Sequence, residues 1–227
     1  MYELMLDTAN LDELKAGIEA WPVVGVTSNP SILKAEGNID IYERLAEIKK
    51  LCGPNRSLHV QVVSTTTEEI VKEAHCILDR LGRDVFIKIP VSNAGLPAIK
   101  ILAAEGVSIT ATAIYSSMQG MLAVLAGAKY IAIYYNRMEN NCTDPQKVCA
   151  DIRNFIEESG SDALLLGASY KNVAQVTESF VNGCQSVTVA PAIIKSALGM
   201  ASIDQAVANF AKDFYAVHGE GATMMTI

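Results

Sequence analysis

Lys88 lies in Asp84-Val85-Phe86-Ile87-Lys88-Ile89-Pro90-Val91, an apolar run with the composition of a buried strand. Lysine is almost never fully buried unless it is paired or used. Desolvation disfavours the charged amine, so a buried lysine drops from its ordinary pKa of about 10.4 and becomes a nucleophile. Such an amine forms Schiff bases with carbonyl compounds. It adds to a ketone, the adduct loses water, and the resulting iminium draws electrons from an adjacent carbon–carbon bond. Cleavage then needs a carboxylate acting as base or orienter, an acid working through water, and amides or hydroxyls to hold the substrate. Asp7, Tyr134, Asn29, Gln61 and Thr112 are side chains of those types. Arg137 and Ser169 could hold a phosphate, since a planar guanidinium matches its oxygens bidentately. On the Lys88 segment alone, an edge strand whose lysine reaches back to water explains the sequence equally well.

The elements that would position these groups are short β-rich runs alternating with helical patterns. Strands are predicted near Glu3–Asp7, Val23–Thr27, Leu58–Val63, Val85–Ile89, Ser108–Thr112, Tyr130–Tyr134, Ala163–Ala168 and Ser186–Val189. Helices are predicted at Leu11–Ala20, Ile39–Leu51, Thr67–Leu81, Ala94–Glu105, Ser116–Ala126, Pro145–Ser159, Asn172–Asn182 and Pro191–Leu198. Eight such alternations with continuously apolar strands predict a parallel sheet closed into a (β/α)₈ barrel. A further helical pattern, Ile203–Val217, ends in the apolar tail Gly219–Ile227. The expectation is one domain, 1–227, whose segment from about 203 to 227 packs on a neighbouring subunit.

In such a barrel the chemistry gathers at the C-terminal ends of the strands, and residues two apart on a strand share a face. Asp7 follows Met5 in parity, Lys88 follows Phe86, and Thr112 follows Thr110. The second strand runs into Thr27-Ser28-Asn29-Pro30-Ser31. Tyr134 and Tyr135 are adjacent, so only one can point inward; Tyr134 shares parity with Ala132 and is placed there, and a bulge would exchange the two roles. Taken singly, Thr112 or Gln61 reads as a hydrogen-bonded core residue, Asp7 as a helix cap, and Asn29-Pro30 as a turn. Six strands each placing a polar group at the same end point instead to one shared site.

Bulk properties limit the alternatives. The chain has 227 residues, half of them apolar, and a formal charge of −7, which disfavours a general nucleic-acid surface. No apolar run approaches the roughly 20 residues that span a bilayer, and Met1-Tyr2-Glu3-Leu4 does not resemble a signal peptide. Five scattered cysteines without a C-x-x-C pair suit a reducing cytoplasm. The three histidines, His59, His75 and His218, lack ligand spacing, so a metal is not expected. Neither a dinucleotide-binding glycine motif nor a P-loop is present, and nothing marks a partner for a pyridoxal ring nitrogen. No cofactor is expected.

The segments Leu4-Met5-Leu6-Asp7-Thr8-Ala9-Asn10, Gly25-Val26-Thr27-Ser28-Asn29-Pro30-Ser31 and Val85-Phe86-Ile87-Lys88-Ile89-Pro90-Val91 resemble the small transaldolase family, which includes the fructose-6-phosphate aldolases. Gly95-Leu96, Ala111-Thr112-Ala113-Ile114-Tyr115, Gln119-Gly120, Tyr135-Asn136-Arg137 and Ala168-Ser169 continue the resemblance along essentially the whole chain. It implies a Schiff-base lysine on the fourth strand (Lys88), proton transfer involving Asp7, and contacts from Asn29 and Thr112 to the intermediate. It implies phosphate binding by Arg137 with Ser169, and a ring-based homo-oligomer, commonly a decamer of stacked pentamers. The expected catalytic set is Lys88, Asp7, Tyr134, Gln61 and Thr112, and the substrate-binding set is Thr27, Asn29, Arg137 and Ser169.

Within this family transaldolases typically carry Glu and Phe where this chain has Gln61 and Tyr134. The expected activity is therefore cleavage and formation of fructose 6-phosphate from dihydroxyacetone and glyceraldehyde 3-phosphate. The alternatives are a transaldolase moving the same three-carbon unit between sugar phosphates, and a catalytically silent barrel serving as a scaffold. The chain departs from the family pattern at Ile133, where Pro is usual, at Tyr135, where an aliphatic residue is usual, and at Ser28, where Thr is usual.

Overall fold

Strand and helix boundaries follow local chemistry closely in the computed structural model, which describes residues 2–227. The strands are β1 (Glu3–Asp7), β2 (Val23–Thr27), β3 (Ser57–Gln61), β4 (Phe86–Pro90), β5 (Ile109–Ile114), β6 (Tyr130–Tyr134), β7 (Leu164–Ala168) and β8 (Ser186–Val189). The helices are α1 (Leu11–Ala20), α2 (Pro30–Ala35), α3 (Ile41–Cys52), α4 (Thr67–Leu81), α5 (Gly95–Ala104), α6 (Ser117–Leu125), α7 (Tyr135–Asn140), α8 (Pro145–Glu158), α9 (Val173–Val181), α10 (Pro191–Leu198) and α11 (Ala201–His218). Asn10, Asp40, Thr66, Ser116, Asp144 and Asn172 each cap the helix that follows, their side-chain oxygens accepting from backbone N–H groups of the first turn.

All eight strands pair in parallel and in sequence order, and β8 pairs with β1 to close the barrel. Crossover helices cover the outside, which is why the strands are apolar on both faces. Inside, Met5, Tyr130, Ala132 and Leu166 form one packed cluster with Phe86 and Leu164 against it. His59 joins this layer, stacked on Phe86 with ring centres 4.5 Å apart and meeting Tyr130 edge-on. Its Nδ1 is 2.7 Å from Thr110 Oγ1 and its Nε2 is 2.8 Å from Ser57 Oγ. The barrel below Lys88 is thus filled by side chains.

Two short helices were not anticipated from the sequence, and each follows a strand end that carries site residues. The Asn29-Pro30 pair, expected as a turn, starts α2: Asn29 Oδ1 accepts from the N–H groups of Ser31 and Ile32, and Pro30 occupies the first turn. Asn as cap and Pro just inside a helix is a helix-start signature as much as a turn signal. The second, α7, begins at Tyr135 directly after β6, where two adjacent tyrosines read as continued strand. Strand β5 runs two residues beyond its expected end and carries a register shift between Ala111 and Ile114, with Ala113 at φ +58°. Gly167 in β7 admits no side chain: a Cβ there would lie 1.8 Å from Tyr170 Oη.

The chain falls into two compact units, residues 1–191 and 192–227. The first holds the barrel. The second holds α10 from Ala192 onward, α11 and the tail; none of the α11 residues is buried, and Ile203, Val207, Phe210 and Val217 are exposed. Among the described residues no helix is long and apolar enough to cross a membrane.

Candidate active site

The C-terminal ends of the strands surround a cavity of about 560 Å³ whose wall includes Asp7, Asn29, Gln61, Lys88, Tyr134, Arg137 and Ser169. Seven side chains singled out in the sequence, from six strand ends, therefore meet in one place. Lys88 is 4% exposed. Its Nζ donates to the Ser28 carbonyl oxygen at 3.0 Å. Burial lowers the Lys88 pKa below the usual lysine range, and the Asp7 carboxylate pulls it partly back. The amine thus has access to the neutral, nucleophilic form at a lower pH than a surface lysine.

Asp7 is half-buried at the end of β1. Burial raises its pKa, while the Lys88 ammonium and a hydrogen bond from Thr27 hold it down. Thr27 Oγ1 donates to Asp7 Oδ1 at 2.7 Å and lies 2.6 Å from Thr188 Oγ1. A hydroxyl has one proton to give. Since the Thr27 proton goes to the carboxylate, Thr188 donates to Thr27, and the three groups form an oriented chain ending on Asp7.

Because Asp7 and Lys88 each shift the other, removing the carboxylate has a signed consequence. Imine formation requires the neutral amine, so its rate rises with pH through the Lys88 pKa, with a midpoint below that of an ordinary lysine. In Asp7→Asn the charge that favours the ammonium is gone and the midpoint moves lower still. Single-turnover imine formation followed against pH checks this; a midpoint that stays put or rises in Asp7→Asn contradicts the coupling.

Tyr134, not Tyr135, faces the cavity. The Tyr134 hydroxyl accepts from Thr112 Oγ1 at 3.3 Å, and the Arg137 guanidinium lies over its ring, 4.7 Å from the centre. Burial raises the Tyr134 pKa, although Thr112 and Arg137 favour the phenolate, so the phenol keeps its proton. Tyr135 is fully buried on the other side of the strand end and donates to Glu178 Oε2 at 2.9 Å. Gln61 Oε1 is buried without a hydrogen-bond partner among the described residues. A buried acceptor left unpaired is costly, and at the wall of a cavity it is positioned to meet a ligand or water.

Two expected residues occupy other places than direct substrate contact. Thr27, anticipated as substrate-binding, is fully buried and does not line the cavity; its hydroxyl serves Asp7. Thr112 is also fully buried and lies behind Tyr134, to which it donates. Asn29 lines the cavity, but its Oδ1 is taken by the α2 cap, which leaves the amide N–H groups for a ligand. Thr188 and Lys171 belong to the wall and were not among the expected site residues. The parity of Thr188 with Ser186 on the last strand is the signal that could have found it. Ser169 has φ +65° and Ala113 φ +58°, both in the left-handed region at the cavity wall. Non-glycine residues held there cluster at functional sites.

The same cavity wall carries Arg137, Lys171 and Ser169, two cations and a hydroxyl suited to an oxyanion. Residues 4–225 match the model of the transaldolase/fructose-6-phosphate aldolase family. The chain belongs to that family. A probable fructose-6-phosphate aldolase of Streptococcus pneumoniae (strain ATCC 700669 / Spain 23F-1) is 48% identical over 215 residues, covering 95% of this chain and 97% of the relative. The resemblance read from the sequence and the (β/α)₈ barrel expected from its periodicity both hold for this member of the family.

Proposed function

We propose that the protein is a cofactor-free class I aldolase that cleaves fructose 6-phosphate to dihydroxyacetone and glyceraldehyde 3-phosphate, and runs the reverse reaction. The observation that carries this reading is the buried Lys88 amine sharing one cavity with the Asp7 carboxylate and the Arg137 guanidinium. The neutral amine adds to the ketose carbonyl carbon; the carbinolamine loses water and becomes a protonated imine. Asp7 acts as base, directly or through water, and takes the proton of the neighbouring hydroxyl. The carbon–carbon bond then breaks, its electrons reduce the iminium to an enamine, and the aldehyde leaves. Water held between Tyr134 and Gln61 protonates the enamine carbon, and hydrolysis of the imine frees dihydroxyacetone and the Lys88 amine. Asn29, Arg137 and Ser169 hold the sugar and its phosphate, and Thr27 and Thr112 orient Asp7 and Tyr134.

The name of the relative and the pairing of Gln61 with Tyr134 support the aldolase over a transaldolase. Release of free dihydroxyacetone from fructose 6-phosphate without any acceptor aldehyde is the deciding measurement. Product that appears only when erythrose 4-phosphate is added makes the protein a transaldolase instead. Arg137→Met is expected to raise KM for glyceraldehyde 3-phosphate by about 10–100-fold, the weight of a charge-assisted contact of about 1.5–3 kcal/mol. The KM of unphosphorylated glyceraldehyde stays close to that of the wild type. Steady-state synthesis assays with the two acceptors check it, and equal losses on both remove Arg137 from phosphate binding.

The wider setting belongs to the same proposal. We read the chain as one functional unit that assembles as a homo-oligomer, a decamer of stacked pentamers, in which residues 203–227 cover a neighbouring subunit. The unburied apolar residues of α11 and the exposed Met224, Met225 and Ile227 support a covered surface. The five cysteines are free, which suits a cytoplasmic enzyme of sugar-phosphate metabolism.

A further inference from the structure

Helix α7 carries Arg137 yet has little of its own to hold it. It is six residues long, and no side chain caps its first turn. Isolated helices that short are unstable, so its position must come from tertiary contacts. Across from it, the turn after β7 carries Ser169 and Lys171, with Ser169 in the left-handed region. The two walls of the anion rim thus come from a short helix and a strained turn.

One buried side chain joins them. Gln175, on α9, is 5% exposed. Its Oε1 accepts from the backbone N–H of Lys171 at 2.7 Å. Its Nε2 donates to Asn136 Oδ1 at 3.1 Å and to the Glu139 carboxylate. Asn136 and Glu139 flank Arg137 on α7. Glu139 can only accept and the Lys171 N–H can only donate, so the amide fits in one orientation. Its two N–H groups and its oxygen are all engaged.

We propose that Gln175 is a positioning residue for phosphate recognition, a clamp that sets the distance between Arg137 on α7 and the Ser169–Lys171 turn. It touches no substrate and lies outside the cavity wall. The inference rests on the reading of this rim as the phosphate site. Loss of the clamp lets the two walls drift apart, which costs bidentate geometry at the phosphate and leaves the Lys88 chemistry in place.

Gln175→Met keeps the volume and removes the amide. It is expected to weaken binding of inorganic phosphate, measured by calorimetry, about tenfold, and to raise KM for glyceraldehyde 3-phosphate by a similar factor, the upper weight of one lost hydrogen bond. The kcat and KM for unphosphorylated glyceraldehyde are expected to hold. Gln175→Glu sets a second carboxylate against Glu139 and is expected to bind phosphate more weakly than Gln175→Met. The exchange Gln175→Glu with Glu139→Gln restores a donor–acceptor pair and is expected to recover much of the loss. Should Gln175→Met fail to fold, Glu139→Ala removes one tether from the surface and is expected to show part of the same loss.

Equal losses on both acceptors, unchanged phosphate affinity in the variants, or no recovery in the exchange each overturn the clamp. Wild-type protein that binds no phosphate overturns it as well. Wild-type protein that binds phosphate but turns over no sugar sinks the aldolase reading alone, and the phosphate titrations then decide on Gln175.

Discussion

Lys88→Met is expected to eliminate borohydride-trapped adduct formation with fructose 6-phosphate and to lower cleavage by about 10⁴-fold or more, the scale of losing a covalent nucleophile. Methionine fills the space of the lysine stem, so the barrel remains folded while the chemistry is lost. Mass spectrometry after reduction is the direct readout: the wild type gains the mass of the reduced three-carbon or six-carbon adduct on Lys88. An adduct that persists in the variant would place the imine elsewhere, and absence of any adduct in the wild type would favour a catalytically silent barrel. The variant has a second, independent signature at Asp7. The Lys88 ammonium holds the Asp7 pKa down against burial, so its removal lets that pKa climb further. Carboxyl-carbon NMR titration reads the direction; a fall in the Asp7 pKa is incompatible with the coupling of the two groups.

Tyr134→Phe is expected to separate the two activities of the family. The phenol retains its proton because burial raises its pKa, and it shares the cavity wall with Gln61, the two groups proposed to hold the water that protonates the enamine. Removing the hydroxyl is expected to reduce acceptor-free release of dihydroxyacetone by about 10²-fold, the usual reach of one positioned acid–base group. Capture of the enamine by erythrose 4-phosphate needs no such water and is expected to fall much less. The ratio of transfer to hydrolysis, measured from product yields at fixed acceptor concentration, therefore rises. A proportional loss of both activities assigns Tyr134 to packing, and retained hydrolysis assigns the protonation to another group. Gln61→Glu belongs to the same comparison, since it exchanges the amide whose oxygen lacks a partner for a carboxylate.

The sequence showed the periodicity and the inward residues because both depend on local rules. Short, continuously apolar runs alternating with helical patterns placed each barrel strand, and parity alone turned Lys88, Asp7 and Tyr134 toward the cavity. Depth was not legible. Thr27 and Thr112 have the right parity but sit behind Asp7 and Tyr134, and only the barrel register distinguishes a residue that touches a ligand from one that touches its neighbour. Helix α7 was hidden because Tyr134-Tyr135 favours a strand, and the switch at Tyr135 is enforced by distant contacts such as the hydrogen bond to Glu178. Gln175 was hidden for a related reason: a glutamine in the amphipathic helix Val173–Val181 reads as solvent-facing. Its burial becomes visible only once α7 is in place beside it.

His59 has a kinetic meaning that its packing role conceals. Burial, assisted by the Lys88 charge, pushes its pKa down to about 3, so the imidazole is neutral across the working range. With Phe86 and Tyr130 against it, and Thr110 and Ser57 at its two nitrogens, it stoppers the barrel from below. That layer lies two residues before Gln61 and Lys88 on their strands, so the cavity is built on the C-terminal side of it. On the proposed mechanism, sugar, leaving aldehyde and the water that quenches the enamine all share this cavity. Once the first aldehyde leaves, water and a second aldehyde compete for the same vacated volume. The fate of the enamine in that mechanism is a race set by acceptor concentration, and rising aldehyde is expected to suppress hydrolysis by occupying the cavity as well as by reacting.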